Sequence, residues 1–156
     1  MIVVSDTGPL NYLLQIEAIE ILPALYGSVI LPEIVRQELL HPNAPEIVRT
    51  WAGQLPDWVV VRQPQSFLPL LLDEGERAAI SLAVEIQAEL ILVDERRGRQ
   101  AAEAQALAVT GTLGILANAA RNGLLNFAEA IARLNQTSFY IAPELLAKLL
   151  HPEAAE

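Results

Sequence analysis

Short runs of consecutive apolar residues, mostly β-branched, recur along the chain, and each leads through a turn into a segment with helical spacing. The clearest runs are 2–4, 29–31 and 90–93. Continuous apolar runs are typical of strands that are buried on both faces, as in a parallel sheet covered by helices. Helical segments of roughly ten residues follow them, which is the order expected of strand–helix–strand units. The sequence therefore predicts an α/β fold.

The predicted helices alternate with these strands over most of the chain. Apolar residues recur with helical spacing at 9–14, 32–40, 46–55, 77–87, 101–107, 112–122, 127–134 and 143–150. Proline opens two of the helices, at Pro9 and Pro32, where its missing N–H leaves no hydrogen bond unmade. We interpret the apolar run 58–61 as part of a connecting segment at the sheet edge, and 138–142 as an extra edge strand.

The length of 156 residues fits one domain, because a single core commonly serves roughly 100 to 150 residues. We expect a single domain over 1–156, with a core of about 1–125 and a C-terminal helical elaboration of about 126–156. No apolar run approaches the roughly 20 residues that span a bilayer. The N-terminal stretch MIVVSDTG lacks the pattern of a secretory signal, so cytoplasmic location is the expectation.

The chain has no Cys and only two His residues, His41 and His151. This composition excludes a disulfide framework, a thiolate nucleophile and a sulfur-rich or histidine-rich zinc site. Any bound metal must therefore be held by oxygen. Ten basic residues against nineteen acidic residues give a formal net charge of −9, which disfavours a protein that grips duplex nucleic acid through a broad basic face.

Four acidic residues fall at strand ends or on the helices beside them. Asp6 ends the first strand and Asp94 ends the strand at 90–93. Ligands of an open parallel sheet collect beyond the carboxyl ends of its strands, so we expect both side chains at one edge. Glu38 lies on the helix at 32–40, where its spacing turns it toward the core side, and Glu76 lies in the first turn of its helix.

Four carboxylates at one edge repel one another unless a cation neutralises them, and this repulsion is the physical argument for a metal site. Mg²⁺ and Mn²⁺ prefer carboxylate and water oxygens, in agreement with the absence of Cys. Such a site activates water for attack on a phosphodiester. The sequence thus predicts a metal site built from Asp6, Glu38, Glu76 and Asp94.

Each acid also has a plain structural interpretation. Asp6 suits a helix cap, because Asp is among the preferred capping residues. Glu38 fits a solvated helix position, Glu76 can complement the helix dipole, and Asp94 can be a turn residue. Their shared position at one predicted edge favours the metal site.

Polar and basic residues near the predicted edge are candidates for substrate contacts. Arg96, Arg97 and Arg99 follow Asp94 and can hold phosphates by bidentate hydrogen bonds. Solvated ion pairs in a first helical turn are the alternative interpretation. Thr7 and Thr112 are placed to hydrogen-bond a carboxylate or a phosphate, and both also suit ordinary helix caps.

The order of these motifs resembles the PIN domain, and within it the short prokaryotic nuclease toxins of type II toxin–antitoxin pairs. The resembling segments are VVSDTGPLNYL, ILPEIVRQEL, LDEGERAAISLA, LILVDERRGRQAA and VTGTLGIL. They extend from residue 2 to about residue 117. No single segment is specific for this family, but the five segments in this order are.

The resemblance implies a three-layer α/β/α fold, with a central, mostly parallel sheet of four to five strands and extra C-terminal helices. It assigns Asp6, Glu38, Glu76 and Asp94 to the acidic metal site, with Glu95 as an outer or substitute ligand. The implied activity is a Mg²⁺- or Mn²⁺-dependent endoribonuclease that cuts single-stranded RNA. Many toxin-like PIN domains have Asp where this chain has Glu76, and Asp73, Glu74 and Glu95 are close enough in sequence to replace or supplement Glu76. A homodimer and an antitoxin protein are the implied partners.

Other functional classes fit less well. The triplet Asp6-Thr7-Gly8 occurs in aspartic proteases, but such a site needs β-rich surroundings, whereas Pro9 opens a helix here. A phosphoryl transferase with Asp6 as nucleophile usually has a second Asp two residues later, and this chain has Gly8 there. The main competitor is a catalytically silent interaction domain that keeps the fold and binds a partner through its apolar surface.

Overall fold

The computed structural model describes residues 1–151. Five short strands form one sheet in which every neighbouring pair is parallel. The strands are β1 (Val3–Ser5), β2 (Val29–Leu31), β3 (Val59–Val61), β4 (Leu90–Leu92) and β5 (Val109–Thr110), in the spatial order β3-β2-β1-β4-β5. The predicted parallel α/β sheet of four to five strands is confirmed.

Helices cover both faces of this sheet, as the prediction of three layers requires. The helices of residues 1–151 are α1 (Thr7–Gln15), α2 (Ile21–Tyr26), α3 (Glu33–Leu39), α4 (Glu46–Gly53), α5 (Glu74–Glu85), α6 (Arg96–Ala104), α7 (Thr112–Arg121), α8 (Phe127–Leu134) and α9 (Pro143–Leu150). No helix in this part of the chain is long and apolar enough to cross a membrane.

The central strand β1 is buried on both faces because successive side chains of a strand point to opposite sides. Val3 belongs to the core beneath α1, α3, α4, α7 and α8, whereas Val4 belongs to the core beneath α5 and α6. Both side chains are fully buried. Ala79 and Ala83 let α5 pack close to the sheet on the second face. This double burial explains why the strands read as continuous apolar runs.

The register of the sheet brings the ends of β1 and β4 together. Ser5 pairs with Leu92, and the next backbone N–H, that of Asp6, donates to the Leu92 carbonyl at 2.9 Å. The helices that follow start almost at once, α1 at Thr7 and α6 at Arg96. The carboxyl ends of the two strands therefore share one edge of the sheet.

Two predicted strand assignments at the sheet edges were wrong. The apolar run at 58–61 contains the edge strand β3, which pairs with β2, rather than a connecting segment. Residues 138–142 form no strand. There the Tyr12 hydroxyl is hydrogen-bonded to Ser138 at 3.1 Å, and the Phe139 ring meets the Tyr12 ring edge-on at 5.0 Å. These contacts hold the segment against α1.

Three helices begin earlier than predicted. Helix α1 starts at Thr7 rather than at Pro9. Helix α5 starts at Glu74 rather than residue 77, because Asp73 caps it by accepting a hydrogen bond from the Glu76 N–H. Helix α6 starts at Arg96 rather than near residue 101. Its first turn is polar and buries little, so it lacks the apolar periodicity on which the prediction depended. The C-terminal elaboration predicted for 126–156 contains α8 and α9, and its residues 152–156 lie outside the described residues.

Candidate active site

Asp6 lies at the junction of β1 and α1, buried to 6 % exposure. It occupies the N-cap position of α1, yet its side chain makes no capping hydrogen bond to that helix. Burial raises the pKa of its carboxyl well above the usual range, although the Thr7 backbone N–H partly opposes this rise. Neighbouring carboxylates raise it further, and Asp73 contributes most among them. Asp6 is therefore a buried acid without the helix-capping bond that would explain it structurally.

Asp94 follows β4 on the neighbouring strand, and α7 holds its carboxylate. The Thr112 N–H donates to Oδ1 at 2.7 Å and the Thr112 hydroxyl donates to Oδ2 at 2.7 Å. Burial raises the pKa of Asp94, whereas these two hydrogen bonds and the charge of Arg99 oppose the rise. Both oxygens are thus oriented by one residue. Because Thr112 is fully buried, its placement favours a positioning role over the substrate contact expected for it.

Glu38 comes to the site from α3, on the other side of Asp6. Contrary to the expectation that it leans toward the core, its side chain is exposed, because Val35 and Leu39 occupy the buried face of α3. Partial burial raises the pKa of Glu38, and the charge of Asp73 adds to the rise. The Thr7 hydroxyl approaches Glu38 and counters part of this effect, but it forms no hydrogen bond of good geometry.

Glu76 lies in the first turn of α5 and is buried to 6 % exposure. Its Oε2 has no hydrogen-bond partner. Burial, together with a hydrogen bond to Asp73 and the charge of that residue, raises the pKa of Glu76 to about 7. A buried carboxyl oxygen without a partner is unusual in folded proteins, so this atom is a candidate for contact with a ligand or with water.

The predicted acids line two adjoining cavities rather than one. Asp6, Glu38 and Asp94 face a cavity of about 190 Å³, here called the acidic cavity. Glu76 faces the neighbouring cavity with Leu71, Leu72 and Arg97. The full lining of the acidic cavity is Asp6, Thr7, Gly8, Asn11, Tyr12, Glu38, Asp73, Asp94 and Glu95. Asp73 and Glu95 line both.

Asp73 is not one of the four acids assigned to the site from the sequence, where it was only a candidate to replace or supplement Glu76. It caps α5 and its charge raises the pKa values of Asp6, Glu38 and Glu76. A sequence signal for it was present, because Asp73 and Glu76 have the spacing of a capping residue and its third helical partner. That pattern predicts a helix start at residue 74 with Asp73 as its cap. Because Glu76 in the first turn of this helix was expected at the same sheet edge as Asp6, the same expectation follows for Asp73.

Basic side chains lie near these acids without neutralising them. Arg97 lines the second cavity and donates to the Leu71 carbonyl at 3.1 Å, while Arg96 and Arg99 are exposed. Within residues 1–151 the only ion pair joins Arg36 to Glu33, and neither residue lines the acidic cavity. The acidic cavity thus concentrates negative charge that no Arg or Lys pairs with directly.

The donor set of the acidic cavity suits a hard divalent cation, because its charged groups are carboxylates. The raised pKa values of Asp6, Glu38 and Asp94 show that negative charge on these groups is disfavoured in this cavity, and a bound cation would relieve that penalty. Among the described residues, however, no three acidic or histidine side chains are arranged to hold one ion. Metal binding here would require carboxylates to turn, and the exposed Glu38 has the freedom to do so.

The comparisons with known proteins gave one match. The model of the family DUF3368, described as a PIN domain, matches residues 2–155. No curated protein matches the chain, and no solved structure matches it.

Proposed function

The chain belongs to the PIN-domain family, and on this premise we propose that it is a metal-dependent endoribonuclease that cleaves single-stranded RNA. The observation that carries the proposal is the pair Asp6 and Asp94. These two carboxylates follow neighbouring parallel strands and face one cavity. Ligands of open parallel sheets bind beyond such strand ends. The nuclease-type fold of the family favours phosphodiester cleavage as the reaction at this site.

Asp6, Asp94 and Glu38 would hold a Mg²⁺ or Mn²⁺ ion, with Asp73, Glu76 and Glu95 close enough to complete or replace ligands. The bound ion would lower the pKa of a water molecule and stabilise charge on the phosphate. The donor chemistry fits this assignment, and only the carboxylate orientations must change. Asp94 is the best oriented ligand, because both of its oxygens are fixed by Thr112.

The RNA backbone would be held by the basic first turn of α6. Arg96, Arg97 and Arg99 all lie in that turn, which follows Asp94 directly. Arg guanidinium groups bind phosphate oxygens in a bidentate manner. Local charge of this kind is needed because the whole chain has a net charge of −9, which opposes the approach of RNA. Thr7, half-buried in the acidic cavity, can donate to a phosphate or a ligand carboxylate.

We also propose the biological setting that the sequence resemblance implies. The protein would act as the toxin of a toxin–antitoxin pair, form a homodimer and be silenced by an antitoxin that covers the acidic cavity. It would meet its RNA in the cytoplasm. The apolar side chains left exposed, among them Ile47, Val60 and Leu71, are the surface on which such partners would pack.

One observation favours a second function, that of a catalytically silent PIN-fold interaction domain. Within residues 1–151 the acidic side chains are not arranged to hold an ion directly. A silent domain needs no such arrangement and would use the exposed apolar residues alone. Metal-dependent cleavage separates the two functions.

The test is incubation of the purified protein with single-stranded RNAs of varied sequence plus Mn²⁺, with EDTA as the negative control. We expect cleavage that EDTA stops and that Asp6→Asn or Asp94→Asn reduces by about a hundredfold or more, as for loss of a key electrostatic group. Asp57→Asn, at an exposed position outside both cavities, is the matched control. Absence of cutting favours the silent domain, whereas equal cutting by all variants would show that Asp6 and Asp94 do not carry the proposed mechanism.

A further inference from the structure

Glycine residues lie against all four predicted carboxylates, most closely against those of Glu38, Glu76 and Asp94. A methyl group added at Gly75 would overlap Oε1 of Glu38. One added at Gly98 would lie 2.7 Å from Oε2 of Glu76. One added at Gly111 would lie 2.8 Å from Oδ1 of Asp94. The carboxylates approach the backbone at points where no side chain stands.

Gly75 differs from the other two in what surrounds it. A methyl group at Gly98 would also lie 2.9 Å from the buried Val93 side chain, and one at Gly111 would lie 3.2 Å from the Val93 carbonyl. A methyl group at Gly98 would therefore crowd the hydrophobic core, and one at Gly111 would crowd the backbone. At Gly75 the atoms met are the carboxyl end of Glu38 and, at 3.2 Å, Oδ1 of Asp6. The three atoms nearest to a methyl group at this position all belong to side-chain carboxyl groups.

The backbone gives no reason for glycine at residue 75. It lies in the first turn of α5 and is not among the residues with a positive φ. Glycine lowers helix stability relative to alanine. The reason for a glycine must therefore be the close approach of the neighbouring groups.

We propose that Gly75 is a positioning residue, whose missing side chain lets the Glu38 carboxylate from α3 enter the acidic cavity beside Asp6. A side chain at residue 75 would push that carboxylate outward. Glu38 can yield at little cost in stability because its side chain is long and exposed. The inference deepens the proposed function and rests on it for the role of Glu38 as a metal ligand.

The test compares Gly75→Ala with Gly53→Ala. Gly53 ends α4, and a methyl group there would come no closer than 4.0 Å to Leu40. Crystals of metal-free Gly75→Ala should show the Glu38 carboxylate moved away from Asp6. Calorimetric titration with Mn²⁺ should show at least tenfold weaker binding by Gly75→Ala, unchanged binding by Gly53→Ala, and no loss of unfolding midpoint in urea for either variant.

A double-mutant cycle assigns the effect to Glu38. In the Glu38→Ala background, Gly75→Ala should weaken Mn²⁺ binding no further. The inference is overturned if the Glu38 carboxylate stays beside Asp6 in Gly75→Ala, or if the loss of affinity is equally large without Glu38. Should Gly75→Ala fail to fold, recovery of folding in the double variant supports the contact, and continued failure overturns it. A wild-type chain that binds no Mn²⁺ defeats the proposed function, while the crystal comparison still decides the place of Glu38.

Discussion

At the scale of single residues, the site is a set of acids whose charge is not neutralised, and all of them except the exposed Glu38 are buried or half-buried. Burial is the largest cause of the raised pKa at Asp6, Glu38, Glu76 and Asp94. In the part of the chain that the structure describes, no Arg or Lys forms an ion pair with any of them. A protein of this kind is less stable where these groups ionise, and a bound cation reverses the penalty.

The first prediction concerns Glu76, whose pKa of about 7 in the folded chain lies above its ordinary value of 4.5. A carboxyl with a raised folded pKa stabilises the protein fully below the unfolded pKa, and this stability is lost as pH rises through the folded pKa. The metal-free protein should therefore be more stable at pH 5 than at pH 8, by on the order of 2 kcal/mol from this group.

Urea unfolding of metal-free protein at the two pH values measures this difference. Glu76→Gln should reduce the pH dependence, while Glu103→Gln, at an exposed position on α6, should preserve it. Wild-type protein that is more stable at pH 8 than at pH 5 would contradict the account of Glu76.

The second prediction concerns Thr112, which holds both oxygens of Asp94. Thr112→Val keeps the side-chain volume and the backbone hydrogen bond but removes the hydroxyl. We expect a loss of about 1 to 2 kcal/mol in the free energy of unfolding, because removal of the hydroxyl leaves a buried carboxylate oxygen without its hydrogen-bond donor. Mn²⁺ binding should weaken as well, because the pKa of Asp94 rises and its carboxylate is less firmly oriented.

Chemical unfolding and calorimetry of Thr112→Val test both effects. Thr50→Val, an exposed substitution on α4, should stay within about 0.5 kcal/mol of wild type. Equal stability and equal Mn²⁺ affinity in Thr112→Val and wild type would show that Thr112 does not position Asp94.

At the scale of secondary-structure elements, the strand ends were predictable and the rotation of the helices was not. Apolar runs locate Asp6 and Asp94, because a strand end fixes the position of the next residue. Glu38 was expected to face the core. In the structure Val35 and Leu39 form the buried face of α3, and Glu38 is exposed. The rotation of a helix about its own axis depends on tertiary packing. The apolar pattern of a helix as short as α3, with seven residues, specifies that rotation only weakly.

The start of α5 carries the third prediction. Asp73 caps this helix, and its charge raises the pKa of Asp6, Glu38 and Glu76. Asn also caps helices well, so Asp73→Asn should keep the cap and remove one negative charge. We expect the metal-free variant to be more stable than wild type at pH 8, by roughly 1 kcal/mol, and to bind Mn²⁺ more weakly.

Thermal unfolding with and without Mn²⁺ distinguishes the two effects of Asp73→Asn. The control is Asn126→Asp, which changes the cap of α8. This helix contributes no residue to the acidic cavity or to the neighbouring cavity that Glu76 lines. Loss of stability at pH 8 in metal-free Asp73→Asn would show that the cap, and not the charge, dominates at this residue.

At the scale of the whole molecule, the sheet order β3-β2-β1-β4-β5 places the site at the middle of the sheet. The strands that precede Asp6 and Asp94 are neighbours, and α3 and α5 bring further acids to the same edge. The sequence predicted the fold class because continuous apolar runs that alternate with helical segments are typical of parallel strands. It did not predict that Glu76 and Asp6 face separate cavities, since that depends on side-chain packing around Asp73.

The fourth prediction is that the protein forms a homodimer. The apolar content of 53 % leaves several large apolar side chains exposed, among them Leu71 at 88 % and Tyr140 at 80 %, and association would bury them. Light scattering at micromolar protein concentration should give twice the chain mass of 17.0 kDa. A monomer mass under those conditions would contradict the prediction without affecting the metal site.

Anomalous X-ray scattering from crystals of the protein soaked in Mn²⁺ decides directly whether the acidic cavity is a metal centre. We expect an anomalous peak in the acidic cavity, within about 2.0 to 2.6 Å of oxygens from Asp6 and Asp94, the range of hard-cation ligand distances. The Glu38 carboxylate should turn toward that peak. Crystals that show no peak there, or a peak that persists in the double variant Asp6→Asn/Asp94→Asn, would contradict the assignment of this cavity as the metal centre.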